Sequence, residues 1–281
     1  MKNIKKEQAY SSRCLKKELN KESSATIKLM PLQDNFSLRK LLAITDPKNE
    51  TIYTIIGRME VLLKYFKENK KHSSLAPFLE TYLLVTIAVA EKYNLKKSYF
   101  SNFKSIEKLD IYFASLYFSP VLDFIENGKS TKPWQSYFKY ISDANGIPFL
   151  QIILGINSHI NADLFTSISN LKYANEKDYC LVNDILMEVI PDVMKILIKK
   201  HDLLGFGSLV FKDFITNEFH MVIEKWRSDA WANHLIKADP NKITENTEKL
   251  GDELTMIITN IYNHKNPLHI NKINNLSVNQ F

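Results

Sequence analysis

Apolar residues recur along the chain at the three- and four-residue spacing of an α-helix. After the capping sequence Asn49-Glu50-Thr51, this spacing predicts a helix over about residues 52–68. It predicts further helices over about 37–45, 75–93, 100–124, 133–140, 149–169, 179–200, 209–235 and 244–262. No segment favours a β-strand. The pattern therefore predicts an all-α protein, a single multi-helix, bundle-like domain.

The predicted helix at about 149–169 is apolar on most of its surface, so it is expected to lie buried at the centre of the domain. Its middle section nevertheless carries four polar side chains, Asn157, His159, Asn161 and Asp163. Burying a polar side chain without a hydrogen-bond partner costs a few kcal/mol, and burying a charge costs more. These residues are therefore expected to be used, either by a functional site or by a structural network.

The two ends of the chain are polar and show no sustained apolar period. Residues 1–35 are basic and are predicted to form a mobile tail, and residues 263–281 are Asn-rich and are predicted to fray. The helical domain is predicted over residues 36–262, with no internal repeat and no linker that divides two cores.

Charge and cysteine content limit the possible partners and the compartment. The formal net charge is +6, but much of the excess lies in the first part of the chain and the remaining positive charges are dispersed, so no nucleic-acid partner is expected. The two cysteines lack CxxC spacing, which favours a reducing compartment without disulfides. Neither a long uncharged apolar run nor a secretory signal is present. A cytoplasmic protein without a membrane span is expected, and its oligomeric state stays open.

His159 and Asp163 stand four residues apart on the central helix and share a face with Gly155. At this spacing a carboxylate can orient an imidazole for catalysis, or both groups can bind one divalent metal ion. Gly155 leaves room one turn away for a ligand or for a closely packed helix. In the alternative interpretation, His159, Asp163 and the two Asn residues satisfy one another as a structural network.

A second pair with the same spacing, His220 and Glu224, would complete a metal site if its helix crosses the central helix. Two His and two carboxylates suit zinc, and they suit iron or manganese where water completes the coordination shell. The candidate ligands of a divalent metal ion are therefore His159, Asp163, His220 and Glu224.

Arg227 lies on one helical stripe with Glu224 and Trp231. An Arg that stacks on Trp and pairs with Glu is a common structural clasp. The functional alternative is an Arg that holds an anionic substrate in a pocket walled by Trp231. Asp110 and Asn183 are further polar residues in apolar helices, and they can join a site at His159 if the helices converge.

An uncharacterised bacterial family of helical proteins carries a signature that resembles Gly155-Ile156-Asn157-Ser158-His159-Ile160-Asn161-Ala162-Asp163-Leu164. Flanking pieces are similar in the same order, at 78–86, 109–118, 133–134, 178–183 and 227–231. The resemblance implies one α-helical domain and supplies no activity. A more distant likeness, in spacing alone, is to zinc-dependent phospholipase C and related helical nucleases, which carry His-x-x-x-Asp and His-x-x-x-Glu on helices.

Two hypotheses for the function follow. The first is an enzyme that binds a small molecule in its helical core and performs metal-assisted hydrolysis or acid–base chemistry. His159 is then the general base or a metal ligand, and Asp163 is its partner. Asn157 and Asn161 are orienting groups, and Arg227 is a candidate clamp for an anionic group. The second hypothesis is a non-enzymatic protein in which the same polar set fixes the helix register. The two differ in whether His159 lines a cavity or is enclosed and fully hydrogen-bonded.

Overall fold

The computed structural model describes residues 35–43, 49–142, 146–201, 215 and 218–264. All regular secondary structure in these ranges is helical, which confirms the all-α prediction. The helices are α1 (Asn35–Leu42), α2 (Ile52–Glu68), α3 (Ala76–Leu95), α4 (Phe103–Asn127), α5 (Gln135–Ile141), α6 (Pro148–Ile156), α7 (Phe165–Asn170), α8 (Glu176–His201), α9 (Phe219–Leu235) and α10 (Pro240–His264). A 3-10 turn, Ser73–Leu75, precedes α3, and a π-helix, Asn157–Leu164, joins α6 to α7.

Local capping explains why the predicted start of α2 is confirmed. The hydroxyl of Thr51 accepts a hydrogen bond from the N–H of Thr54, and the hydroxyl of Thr54 accepts one from the N–H of Thr51. This reciprocal arrangement satisfies two backbone donors that the first helical turn leaves free. Other predicted helices are present with bounds that differ by a few residues. The beginning of the helix predicted at 209–235 lies outside the described residues, as do most of the predicted tails.

The core is built around α3, in which every residue from Ala76 to Leu84 is buried. This helix packs against α2, α6 and α8. Among the described residues, Ser73–Leu95 is the one segment long and apolar enough to cross a membrane, but 78% of its apolar 18-residue window is buried inside the fold. That burial is the environment of an interior helix, and it accounts for the apolar surface without a membrane.

The central helix consists of α6, the π-helix and α7 in one continuous run. Every residue from Phe149 to Phe165 is buried, which confirms the prediction that this helix lies in the interior. The π-helix packs against α4, α9 and α10. Its hydrogen bonds span five residues instead of four, and such wider turns are rare and frequently lie at functional sites. The four polar residues of the motif all fall within it.

Two glycines allow neighbouring helices to approach the central region closely. A Cβ atom added to Gly155 would lie 2.4 Å from the Cγ of Phe78, and one added to Gly251 of α10 would lie 2.8 Å from the Cβ of Ser136. Both distances are far below van der Waals contact. Of the two roles considered for Gly155, close packing of a helix is therefore the one observed, because the ring of Phe78 fills the space.

Candidate functional site

A cavity of about 110 Å³ lies between α3, α4, the central helix, α8 and α9. Most of its wall is apolar, and the ionisable side chains in the wall are Tyr82, Asp110, His159, Tyr179 and Arg227. An engineered protein cavity of roughly 150 Å³ binds benzene, so a cavity of this size has room for one small organic molecule.

His159 and Asp163 form the pair that their spacing predicted. The Nδ1 atom of His159 lies 2.9 Å from the Oδ2 atom of Asp163. The indole N–H of Trp134 donates to the same oxygen at 3.0 Å. The other ring nitrogen, His159 Nε2, is buried and has no hydrogen-bond partner within the described ranges. Because His159 also lines the cavity, this nitrogen is the one that a ligand can engage.

Aromatic rings enclose the imidazole of His159. Phe113 of α4 stacks on it with ring centroids 3.5 Å apart and an interplanar angle of 10°. The ring of Tyr82 approaches at 4.6 Å and that of Phe78 at 5.9 Å, both edge-on. The hydroxyl of Tyr82 is itself buried and has no hydrogen-bond partner in the described part of the chain. This environment excludes water from the ring and favours neutral groups.

Burial sets the charge state of the His159–Asp163 pair. It lowers the pKa of His159 well below the usual value. It raises the pKa of Asp163 well above the usual value, and the hydrogen bond from Trp134 opposes this only in part. Burial therefore favours the neutral form of both groups, in which the carboxyl group of Asp163 donates a hydrogen bond to Nδ1 and a second proton is on Nε2. When Nε2 gives up its proton, the carboxyl proton can move to Nδ1, so the pair can donate a proton at Nε2 and accept one there again.

Asp110 of α4 brings a second carboxyl group to the cavity wall. Its Oδ2 atom is buried and has no partner among the residues that the structure describes. Burial, together with the neighbouring charge of Glu107, raises the pKa of Asp110 to about 7. The carboxyl group is therefore close to half protonated at neutral pH and can either donate or accept a proton.

Arg227 lines the cavity. The sequence predicted that its guanidinium stacks on Trp231 and pairs with Glu224, but two other residues hold it. The guanidinium lies over the ring of Tyr179, 4.7 Å from the centroid. Its Nε donates to the Oδ1 of Asn183 at 2.6 Å. The correction has a geometric reason, since α8 packs beside α9 and brings both partners within reach of the guanidinium.

Trp231 stands behind the cavity wall. Its ring packs against Tyr179 with centroids 4.8 Å apart, and Trp231 does not line the cavity. Asn183 likewise acts on the cavity only through Arg227. The pocket that the sequence suggested is therefore walled by Tyr179, and Trp231 supports that wall from outside.

Asn157 and Asn161 hydrogen-bond to each other and to α10. The amide N–H of Asn161 donates to Asn157 Oδ1 at 2.9 Å, and the amide N–H of Asn157 donates to the carbonyl oxygen of Thr247 at 2.9 Å. Neither residue lines the cavity or hydrogen-bonds to His159. The two amides therefore tie the π-helix to α10, which is the contact that the structural-network interpretation describes, and they lie outside the cavity in which a substrate would be oriented.

We expect Asn157→Ala to lower the free energy of unfolding by about 1–3 kcal/mol, because it leaves the Asn161 amide and the Thr247 carbonyl without their partner. The matched control is Asn170→Ala, since Asn170 is an exposed residue of the same helical run whose side chain makes only a surface hydrogen bond, to the Tyr112 hydroxyl, so its replacement should change stability by about 0.5 kcal/mol or less. Urea denaturation followed by circular dichroism measures both. Equal effects of the two variants would contradict the assigned role.

The predicted four-ligand metal site is not formed. The described residues contain no group of three or more His, Cys, Asp or Glu side chains that could hold a metal ion. On α9, Ile223 and Arg227 face the cavity, so Glu224 is rotated by about 100° from Ile223 and is exposed. The pair His220 and Glu224 therefore does not converge with His159 and Asp163.

Some residues of the site were not found from the sequence as site residues. Trp134 is the partner of Asp163, and Tyr82 and Phe113 enclose His159. The available signal was the density of aromatic residues in the predicted helices around them, which marks an interior but does not identify contacts. Tyr179, which supports Arg227, gave no separate signal.

Fold and site together define an all-helical protein with a small internal cavity, whose wall carries unpaired polar atoms. The model of a family of unknown function (DUF5995) matches residues 52–263, so the chain belongs to that family. This confirms the expectation of an uncharacterised helical family. No curated protein and no solved structure matches the chain.

Proposed function

We propose that the protein binds a small, mainly apolar molecule in this cavity and performs acid–base chemistry on it through His159. Two observations on one residue carry the proposal: His159 lines the cavity, and its buried Nε2 atom has no hydrogen-bond partner in the described part of the chain. A structural histidine would be expected to have both ring nitrogens satisfied, because an unpaired buried polar atom costs about 1–3 kcal/mol.

Asp163 and Trp134 give His159 the support that an acid–base residue needs. The carboxyl group at Nδ1 fixes the orientation of the ring and exchanges a proton with it. The indole N–H stabilises the carboxylate that forms when the proton has moved to Nδ1. The stacked ring of Phe113 restricts rotation of the imidazole. Such preorganisation lets a proton transfer proceed without solvent reorganisation.

The test is a panel of small esters, amides and carbonyl compounds incubated with the protein in D2O and followed by proton NMR. Hydrolysis appears as product signals, and proton abstraction next to a carbonyl appears as loss of the α-proton signal. We expect the wild type to act on a member of the panel and His159→Gln to be slower by about 100-fold or more, as is usual when a general acid–base group is removed.

The matched control is His72→Gln. His72 is also buried, but it contacts Tyr65 and does not line the cavity, so its replacement should leave turnover unchanged. Melting curves of both variants establish that they are folded. Equal loss of turnover in the two variants, or no loss in either, would contradict a catalytic role for His159.

A structural function is favoured by one observation only. The hydrogen bonds from Asn161 to Asn157 and on to Thr247 connect two helices without touching the cavity. They fix the register of the π-helix against α10, and they explain half of the polar motif. The unpaired nitrogen of His159 has no place in this explanation, so the structural role is additional to the site.

A further inference from the structure

Arg227 is a buried cation without a counter-ion in the part of the chain that the structure describes. The residue is 6% exposed. Its Nε donates to Asn183, and within the described ranges its two Nη atoms donate to no side chain and no carboxylate pairs with it. An uncompensated buried charge is expensive, and a ligand that brings the opposite charge removes that cost.

The guanidinium is held in place from two sides. Asn183 accepts from Nε at 2.6 Å, and the ring of Tyr179 lies beneath the guanidinium plane. The hydroxyl of Tyr179 also donates to the backbone carbonyl of Arg227 at 2.6 Å. These contacts use the Nε edge and one face, so the edge that carries the two Nη atoms is the part left for an anion. A preorganised guanidinium loses little entropy when it binds one.

Asp110 lines the same cavity but is not the counter-ion of Arg227. The charge that acts on the pKa of Asp110 is that of Glu107, and Arg227 is not among its causes. A guanidinium in contact would lower this pKa instead of leaving it at about 7. The cavity therefore contains a cation and, at a separate position, a carboxyl group that is about half protonated at neutral pH.

The residues of α4 show which end of the cavity holds His159 and which holds Arg227. Ile106, Asp110 and Phe113 line it along that helix. Phe113 stacks on His159, so this end is the His159 end. The Arg227 end is near Tyr173 and Ser105, because burial raises the pKa of Tyr173 to about 12 while Ser105 and the charge of Arg227 both oppose that rise. Seven residues of α-helix rise about 10 Å, which is the estimated distance between the two ends.

We propose that the cavity binds a small apolar monocarboxylic acid, with its carboxylate on the Nη atoms of Arg227 and its hydrocarbon part directed towards Phe113 and His159. A carboxylate matches the planar fork of a guanidinium in two parallel hydrogen bonds. The apolar wall suits a hydrocarbon body, and the volume of about 110 Å³ limits its size. The inference rests on the proposed function in using the same cavity, and it specifies the anionic end and the apolar body of the ligand, whereas the group on which His159 acts is tested separately.

Isothermal titration calorimetry with four probes at pH 7.5 tests the proposal. Hexanoate carries both the charge and the apolar body, hexanamide lacks the charge, acetate lacks the body, and inorganic phosphate offers a different anion. We expect hexanoate to bind with a dissociation constant of about 1 mM or lower. Hexanamide, acetate and phosphate should each bind about 30-fold more weakly or not at all, which is the effect of one lost charge-assisted contact or of the lost apolar burial.

The variant Arg227→Met keeps an apolar stem and removes the charge, so it should weaken hexanoate about 30-fold and leave hexanamide unchanged. Arg39→Met is the matched control, because Arg39 is an exposed residue outside the cavity and its loss should have no effect on hexanoate. If Arg227→Met does not fold, the comparison of hexanoate with hexanamide on the wild type decides alone. The proposal is overturned if hexanoate does not bind at about 10 mM, if hexanamide, acetate or phosphate binds equally well, or if folded Arg227→Met retains hexanoate affinity.

The proposed ligand class and the proposed acid–base function can be contradicted independently of each other. His159→Gln should change hexanoate affinity by less than about threefold, since the carboxylate is held at the other end of the cavity. Arg227-dependent binding with no turnover would remove the acid–base function and leave the ligand class. Turnover that is unchanged by Arg227→Met would remove the proposed ligand class and leave the acid–base function of His159.

Discussion

Replacing Asp110 by Asn is expected to stabilise the protein at pH 8 by about 2–4 kcal/mol and to change its stability little at pH 4. The pKa of Asp110 is raised from 3.8 to about 7 by burial and by Glu107. Because the folded state holds this proton more tightly than the unfolded state, wild-type stability falls as the pH rises from about 4 to about 7 and is then level. Each unit of pKa difference corresponds to about 1.4 kcal/mol, which sets the upper limit of the gain. Urea denaturation midpoints across this pH range measure it.

Asp178→Asn provides a control of opposite sign. Burial tends to raise the pKa of Asp178, but hydrogen bonds from Ser101 and Asn102 outweigh it, and the pKa is lowered. The stability that this carboxylate contributes is present above its unfolded-state pKa and is lost as the pH falls through the folded-state value. Asp178→Asn should therefore destabilise the protein at pH 8. Stability curves of wild type and Asp110→Asn that run parallel from pH 4 to pH 8 would contradict the assignment for Asp110.

If Asp110→Asn stabilises the protein, the wild-type carboxyl group reduces stability, and this favours a functional role for Asp110. Residues that reduce stability persist where function requires them, and buried carboxyl groups without partners are a common example. Three of the ionisable groups in this cavity have unpaired buried atoms in the described structure, namely Tyr82, Asp110 and His159. Arg227 adds a buried cation whose two terminal nitrogens have no partner in the described ranges. A cavity whose wall carries these four groups is readily explained as a ligand site, because a bound ligand can supply the missing partners.

The sequence predicted those parts of the structure that local interactions determine. The start of α2 depends on Thr51 and Thr54, three residues apart, and the burial of the central helix follows from its composition. The His159–Asp163 contact was also accessible, because it joins positions i and i+4 of one helix. The π-helix was not accessible, since eight residues are too few to distinguish its wider turn from an α-helix by hydrophobic period.

Contacts between helices could not be derived in the same way. Trp134 reaches Asp163 across 29 positions, and Asn157 reaches Thr247 across 90. The helical stripe of Arg227 and Trp231 was correct as a local pattern, but the guanidinium extends across to Tyr179 on a neighbouring helix. Which helices converge is a tertiary property, so the sequence supplied the polar residues and left their partners open.

Gly155→Ala is expected to lower the free energy of unfolding by about 1–2 kcal/mol, although Ala is the better helix former. The helix propensity gain is about 1 kcal/mol. Against it, the new Cβ would lie 2.4 Å from the Cγ and 3.0 Å from the Cβ of Phe78, atoms close to the α3 backbone that cannot move away as the end of a flexible side chain can. Overpacking of this kind costs about 1–3 kcal/mol and sometimes more, so the clash prevails.

A double-mutant cycle separates the two contributions to the effect of Gly155→Ala. Phe78→Ala alone should cost about 3–5 kcal/mol, because it removes a buried ring from the core. In that background Gly155→Ala meets no ring, so only the helix propensity remains and the substitution should stabilise by about 1 kcal/mol. The sign of the Gly155→Ala effect should thus reverse between the two backgrounds when unfolding is measured in urea. The same destabilisation in both would mean that the glycine is needed for the backbone conformation before the π-helix, and that the approach of α3 has another cause.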